Sequence, residues 1–316
     1  MSPRTLIPPD STVVKAVDLV KDYGAFRAVD GLNFELKAGG VMGFLGPNGA
    51  GKSTTLRMLV DLIRPSRGEL FLFGLNYRSH RQQILARIGC LIEKPDFYKY
   101  LSALQNLELL ARASGVKEPR LRSLELMDFV GLNGRENDKV SSFSHGMRQR
   151  LGLAQCLLHD PDLVVLDEPG TGLDPQGLVD MREMILNLNR EQGKTILLSS
   201  HHLSEVEAVA TDLVVVDRGR CVVQGSAKAL LSQSERQIRI TVGRATEALT
   251  LLNAGPWAGG GRLNDRGELT MALGREEVPA AVQFLTQNGF EVYAIESRQK
   301  LEDYYMNLLN HHPTES

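Results

Sequence analysis

The chain has 316 residues, of which 42% are hydrophobic and 23% are charged. This composition is typical of a folded protein with a sizeable core, and the length suits one large domain or one medium and one small domain. The formal net charge is -2, and Lys and Arg are scattered along the chain. A dedicated nucleic-acid binder usually carries a basic face, so we expect no nucleic-acid partner.

Cysteines and apolar runs also limit the possible classes. Cys90, Cys156 and Cys221 stand far apart, without the spacing of a metal site, and are interpreted as reduced core thiols of a cytosolic protein. No stretch approaches the ~20 apolar residues of a membrane helix. Residues 1–10 are Pro-rich and polar, lack the apolar core of a signal peptide and predict a disordered tail. Such a chain is expected to reach a membrane only through a partner.

The first seventy residues alternate short apolar segments with turns. Their pattern predicts an edge strand at Val13–Val20, a turn at Lys21–Gly24, strands at Val29–Leu36 and Val41–Leu45, a helix from about Ser53 to Ile63 and a break at Arg64–Gly68. Within that helix, Leu56, Leu59 and Leu62 are expected to point inward.

Residues 81–160 are mostly helical by pattern. Ser102 is expected to cap a helix over Leu104–Ala113, and Pro119 to begin one that runs to Val130. Further on, two runs are apolar at every position, as in a parallel sheet covered on both faces, and a closing hairpin follows. These elements are Leu163–Leu166, Thr195–Leu198, and the paired segments Leu213–Asp217 and Cys221–Gln224.

The pattern changes after about Ser226. From Arg236 onward it predicts strand, helix, strand, strand, helix, strand and helix. Two similar halves, Ile238–Ala254 and Glu268–Gly289, indicate a small α+β domain in which Trp257 packs. It contains no phosphate-binding or catalytic pattern.

A complete phosphate-loop motif, GxxxxGK[ST], spans Gly46 to Ser53 between a predicted strand and a predicted helix. Glycines let backbone N–H groups point at phosphate oxygens, and the helix N-terminus adds a positive dipole end. In this motif Lys52 reaches the terminal phosphates and Ser53 binds Mg²⁺. A chance match is expected in roughly one of a hundred chains of this composition. The motif therefore predicts a nucleoside triphosphate site.

Two further segments complete such a site. Asp167 ends an apolar strand, where it can hold Mg²⁺, and the adjacent Glu168 can act as general base toward water. Ser144 and Gly146 begin a helix whose N-terminus can meet phosphate. Either segment alone would suggest ordinary structure, but their order along the chain after the phosphate loop favours function.

In this order and spacing, residues 13–225 strongly resemble the ABC transporter ATPase superfamily. The resemblance implies that Asp167 and Glu168 are the magnesium-binding and catalytic pair, that His201 is the switch histidine and that Tyr23 stacks on adenine. It implies a head-to-tail dimer in which each ATP lies between one phosphate loop and the other chain's signature loop. The nucleotide-binding residues it implies are Tyr23, Gly46, Asn48, Gly49, Ala50, Gly51, Lys52, Ser53, Thr54, Ser144, Gly146 and Asp174.

Two departures from the family pattern are present. Glu93 stands where the family usually has Gln; it can still bind Mg²⁺, together with Ser53 and Asp167, but adds negative charge. The signature loop, usually LSGGQ, has His145 and Met147 in place of Gly and Gln. Both variants resemble the branch that pairs with separate membrane subunits in antibiotic-resistance and related exporters. Two segments resemble that branch as well, namely Ile92–Tyr98 and Lys300–Tyr305.

The resemblance implies an ATPase that acts with a transmembrane permease and a second copy of itself or a homologue. It would lie in the cytoplasm on the inner face of the cell membrane, touching the membrane only through its partner. The expected fold is α/β. An ATPase domain at 11–226 would consist of a P-loop core with an antiparallel β edge and would include a helical subdomain at about 87–160. An accessory α+β domain would follow at 227–316.

Soluble ABC-type ATPases of translation or DNA repair are the alternative. Translation factors of the superfamily carry two tandem ATPase units, and DNA-repair relatives carry a very long coiled coil between phosphate loop and signature. This chain has one unit and only a short helical segment between Lys52 and Ser144, so both fit poorly. The C-terminal domain can in addition serve regulation or dimerisation, which is compatible with transport.

Overall fold

The computed structural model describes residues 8, 11–233, 237–257, 259–264, 267–274 and 276–298. The predicted tail over 1–10, apart from Pro8, the segment Lys300–Tyr305 and the last predicted helix lie outside the described residues. Contacts between residues divide the chain into two compact units, 1–227 and 228–316.

The first unit contains ten of the described strands. They are β1 (Thr12–Tyr23), β2 (Phe26–Lys37), β3 (Val41–Leu45), β4 (Arg67–Leu72), β5 (Leu75–Asn76), β6 (Ile88–Leu91), β7 (Leu163–Asp167), β8 (Thr195–Ser200), β9 (Asp212–Asp217) and β10 (Arg220–Ser226). Its helices are α1 (Lys52–Leu59), α2 (Arg81–Leu85), α3 (Ala103–Ala113), α4 (Pro119–Phe129), α5 (His145–Cys156), α6 (Pro175–Arg190) and α7 (Leu203–Glu207), and α8 (Ala227–Gln233) begins at the boundary.

A six-stranded sheet of order β10-β9-β3-β8-β7-β6 forms the centre of this unit. All its pairs are parallel except β9 with β10, which form the predicted hairpin. Strands β3, β7 and β8 are buried at every position, because helices α1, α5, α6 and α7 pack on the sheet. Parallel strands end at the same sheet edge, so the segments after β3, β7 and β8 meet there.

An antiparallel sheet of order β2-β1-β4-β5 corrects two predictions. Strand β1 is not an edge strand, because it pairs with both β2 and β4, and it continues through the predicted turn as far as Tyr23. Its loose alternation arises from register shifts, including one between Ala16 and Leu19, and bulges of this kind interrupt the two-residue period. Strand β4 begins at Arg67, inside the predicted break, and was missed.

Two predictions within the helices hold, and two fail. Ser102 caps α3 in a capping box: its Oγ accepts from the Gln105 N–H (3.2 Å), and its own N–H donates to Gln105 Oε1 (2.9 Å). Pro119 begins α4. By contrast, α1 ends at Leu59, so Leu62 is 62% exposed rather than inward. Strand β6 lies inside the range predicted to be helical. It was missed because four residues are too few to show the two-residue period of a strand.

The second unit runs β11 (Gln237–Val242), α9 (Ala245–Asn253), β12 (Gly261–Leu263), β13 (Leu269–Ala272), α10 (Val278–Gln287) and β14 (Val292–Arg298). The predicted order is thus confirmed through its last strand. The sheet order β12-β13-β11-β14 is that of a split βαβ motif. Trp257 packs edge-to-face on Phe284, as expected. Across the described ranges of both units, no helix is both long and apolar enough to cross a membrane.

Helix α3 offers a matched test of the packing. Leu107 is fully buried, whereas Leu109 is 44% exposed two residues later. Leu107→Ala should lower the free energy of unfolding by about 2–5 kcal/mol, because it leaves a cavity. Leu109→Ala should change it by no more than about 0.5 kcal/mol. Urea unfolding followed by circular dichroism measures both, and equal losses would contradict the packing described.

Candidate nucleotide-binding site

The phosphate loop connects β3 to α1 in a conformation that requires glycine. Gly49 and Gly51 have φ of +84° and +101°, values that other residues rarely adopt. A Cβ at Gly51 would lie 2.5 Å from the Ala28 carbonyl oxygen, and one at Gly46 would lie 2.3 Å from that of Val216. The loop is therefore pressed against β2 and β9, and side chains at these positions would displace it.

Lys52 is the buried cation of the site, only 5% exposed. Its Nζ donates to the carbonyl oxygens of Gly46 (2.7 Å) and Pro47 (3.2 Å) and lies 3.8 Å from Glu168 Oε1. Burial lowers the pKa of Lys52, and the nearby carboxylates of Glu168 and Asp167 partly offset that shift. A positive charge that is poorly solvated favours a polyanionic ligand such as a triphosphate.

Asp167, at the end of β7, joins helix α1 to the central sheet. Its Oδ1 accepts from Ser53 Oγ (3.1 Å) and from Ser199 Oγ (2.5 Å). The same serine fixes the next residue, because the Glu168 N–H donates to Ser199 Oγ (3.0 Å) and to its carbonyl oxygen (3.2 Å). These bonds hold the two acidic residues beside the phosphate loop.

Glu168 is held on its other side by His201. The His201 Nδ1 lies 2.5 Å from Glu168 Oε2, and a carboxylate only accepts, so Nδ1 carries the proton. Thr171 Oγ1 donates to the same oxygen (3.2 Å). Glu168 itself has φ of +51°, in the left-handed region. Its carboxylate thus lies between the lysine and the histidine, where a general base for water would be placed.

The signature segment forms the start of α5. Ser144 caps this helix, and its Oγ accepts from the Met147 N–H (3.2 Å). Asp174 caps α6, accepting from the Gly177 N–H (2.9 Å). These caps explain the local structure of both segments; a nucleotide role for Ser144, Gly146 and Asp174 stays a prediction.

Glu93 and Tyr23 lie apart from this network in the described contacts. Glu93 stands two residues beyond β6, is 64% exposed and forms an ion pair with Arg57 of α1 (2.6 Å). Because β6 and β7 are parallel neighbours, it follows the same sheet edge as Asp167. Tyr23 is 45% exposed at the end of β1, with Lys21 Nζ 4.9 Å from its ring centre. Their ligand roles stay predictions.

Sequence reasoning missed two residues that bond predicted site residues, Ser199 and Arg57. Ser199 bonds both acidic residues, and Arg57 pairs with Glu93 one helical turn after Ser53. A signal for Ser199 existed, since a hydroxyl ends an otherwise apolar buried strand. No local pattern marks Arg57, because its partner lies 36 residues away.

A glycine-built phosphate loop, a buried lysine, a serine bonded to an aspartate and an adjacent glutamate together define a P-loop nucleoside triphosphatase.

Comparisons with known proteins specify the family. Residues 29–171 match the family model described as "ABC transporter". The chain is 36% identical over 300 residues to the bacitracin transport ATP-binding protein BcrA of Bacillus licheniformis, covering 95% of this chain and 98% of that protein. It is 38% identical over 225 residues to the Nod factor export ATP-binding protein I of Ralstonia nicotianae, covering 70% of each.

A solved ATP-binding subunit of an ABC transporter is 29% identical, with a TM-score of 0.63, over 70% of this chain and 93% of that one. The chain belongs to the ABC transporter family, as an ATP-binding subunit that hydrolyses ATP. The expected fold class is likewise confirmed.

Ser199 and Ser200 allow a matched test of the site. Both are fully buried, but Ser200 Oγ bonds Glu205 (3.0 Å) and the His202 N–H (2.9 Å) instead of the acidic pair. Ser199→Ala and Ser200→Ala should each lower the free energy of unfolding by about 1–3 kcal/mol. Only Ser199→Ala should also weaken ATP binding in the presence of Mg²⁺, by roughly three- to tenfold. Calorimetric titration distinguishes them, and equal ATP affinities would contradict the role of Ser199.

Proposed function

We propose that this chain drives an exporter, pairing with a separate transmembrane permease. The supporting observation is the extent of its similarity: the relationship to a bacitracin transport subunit covers 300 residues, so it includes the second unit as well as the ATPase unit. A second relative is named for export. In this proposal the chain lies in the cytoplasm on the inner face of the membrane, with the ATPase domain at 11–226 and the accessory domain at 227–316.

Two copies, or this chain and a homologue, close head to tail around two ATP molecules. The start of α5 supports this arrangement. Ser144 is exposed, and among the described contacts its only side-chain bond is the one that caps its own helix. A free helix N-terminus with a hydroxyl is suited to the phosphates bound on another chain. Gly146, two residues further along, leaves room for their approach, and Asp174 stands at the end of the loop that follows β7.

The oxygens at the phosphate loop fit Mg²⁺. Ser53 Oγ and Asp167 Oδ1 lie 3.1 Å apart, and hydroxyl and carboxylate oxygens are ligands that this ion prefers. When bound, Mg²⁺ neutralises phosphate charge. Glu93 adds a third oxygen donor from the same sheet edge once it leaves Arg57. Tyr23 stacks on adenine, a contact worth about 1–3 kcal/mol by analogy with base stacking.

Hydrolysis depends on three side chains already in contact. Lys52 binds the terminal phosphate oxygens, which replace the carbonyls of Gly46 and Pro47. Glu168 accepts the proton of the attacking water. His201 holds the Glu168 carboxylate through Nδ1 (2.5 Å) and senses the terminal phosphate. Closure moves the helical subdomain, with the segment from Glu93 to Tyr100, against the permease, and hydrolysis reopens the dimer.

Glu168→Gln should abolish ATP turnover while preserving ATP binding, because an amide cannot accept the proton from water. The unhydrolysed ATP should then stabilise the closed dimer. Size-exclusion chromatography with light scattering should show an ATP-dependent dimer in the variant. Phosphate release measures turnover.

The matched control is Glu183→Gln, an exposed residue of α6, which should behave as the wild type in both assays. Normal turnover in Glu168→Gln would remove Glu168 from the general-base role.

The transport role is tested by isolating the tagged chain from membranes in mild detergent. We expect a multi-helix membrane protein in stoichiometric amount, because the described residues supply no membrane helix of their own. Recovery of a soluble dimer alone, or of ribosomes or DNA, would leave the ATPase chemistry intact and reject the permease partnership.

A further inference from the structure

The loop that follows Glu168 is held by the signature helix of the same chain. Two side chains of α5 reach it. Gln149 Nε2 donates to the Pro169 carbonyl oxygen (3.2 Å), and His145 Nε2 lies 3.0 Å from the Thr171 carbonyl oxygen. Helix α5 therefore contacts both the beginning and the middle of this loop. Gln149 is buried and His145 is half-buried.

The contact of the His145 ring with Thr171 indicates which ring nitrogen carries the hydrogen. A carbonyl oxygen only accepts, so Nε2 carries the hydrogen and donates it to Thr171. The ring also lies directly over Gly172, where an added Cβ would be 3.1 Å from Nε2 and 3.2 Å from Cδ2. Gly172 has φ of +76°, so both its conformation and the ring favour glycine. A glycine in place of His145, as the family usually has, would have no donor to reach this carbonyl.

Thr171 carries this contact onward to the catalytic carboxylate. Its Oγ1 donates to Glu168 Oε2 (3.2 Å), and its N–H donates to the Glu168 carbonyl oxygen (3.1 Å). Glu168 Oε2 is the oxygen that His201 also contacts. His145 is therefore connected to the general base through a single residue, Thr171. In the described contacts it touches neither the Glu168 carboxylate nor Lys52.

We propose that His145 is a positioning residue that ties the signature loop to the loop carrying Glu168. This inference rests on the head-to-tail dimer proposed above. In that dimer the start of α5 contacts the nucleotide on the other chain, while the His145–Thr171 hydrogen bond orients Glu168 of its own chain. His145 thus belongs to the segment that meets one ATP and holds the loop beside the glutamate of the other site. The hydrogen bond depends on the side chain of His145, which stands where the family signature usually has Gly.

The test compares three variants of the full-length chain. His145→Leu removes the donor and introduces an apolar side chain of similar size. His145→Gln keeps an N–H donor, at nearly the same distance from the backbone as the Nε2 atom of histidine. Gln155→Leu is the control, because it lies on α5 but at the far end from Glu168, and no described hydrogen bond involves its side chain.

We expect His145→Leu to lower kcat roughly three- to tenfold, the loss expected for one hydrogen bond. The Kd for ATP at the phosphate loop, measured on the isolated monomer, should be unchanged. His145→Gln and Gln155→Leu should stay within about twofold of the wild-type kcat. Hydrogen–deuterium exchange of the nucleotide-free protein should show faster exchange over 168–174 in His145→Leu only, with α5 unchanged.

Wild-type kcat and wild-type exchange in His145→Leu would overturn the inference, and so would an equal loss in His145→Gln, since that variant keeps the donor. Failure of the wild-type protein to form an ATP-dependent dimer would instead reject the proposed dimer. The exchange measurement needs no nucleotide, so the two failures are distinguishable.

Discussion

The buried ammonium of Lys52 sets the conditions for the rest of the site. It is 5% exposed, and its partners are two backbone carbonyls and, at 3.8 Å, the carboxylate of Glu168. A cation with so little water needs anionic neighbours. The sheet supplies them, because β7 ends at Asp167 on the same sheet edge as β3, which leads into the phosphate loop, with only β8 between the two strands. When a triphosphate binds, Lys52 therefore exchanges two neutral carbonyl oxygens for charged phosphate oxygens, which bind an ammonium group more strongly.

Serine hydroxyls make this arrangement rigid. Ser53 connects α1 to Asp167, and Ser199 connects β8 to both acidic residues. Each bond crosses between elements that the parallel sheet aligns at one edge. Helix α5 adds a further restraint from outside the sheet through Gln149 and His145. Glu168 is thus held by Ser199 of β8, by His201 and by Thr171 of the loop that α5 contacts, and α5 begins at the segment that we propose meets a second chain's nucleotide.

Sequence reasoning predicted local features of the chain better than contacts between distant segments. The phosphate-loop motif, the Ser102 cap and the succession of strands and helices along the second unit needed only local spacing, and the described residues contain them. Strand β6 was missed because four residues carry no period, and β1 was misplaced at an edge because bulges blurred its alternation. Arg57 was missed because an ion pair across 36 residues leaves no local pattern.

By itself the sequence determined that this chain is a P-loop ATPase of the ABC transporter family, because that chemistry requires particular residue types at short, fixed spacings. The tertiary structure alone decided which distant groups meet: Ser199 with Asp167, His201 with Glu168, and His145 with the loop beyond it. These pairs are separated by 26 to 33 residues. They depend on which strands lie side by side and on how α5 packs, and packing is a property of the whole fold rather than of any segment.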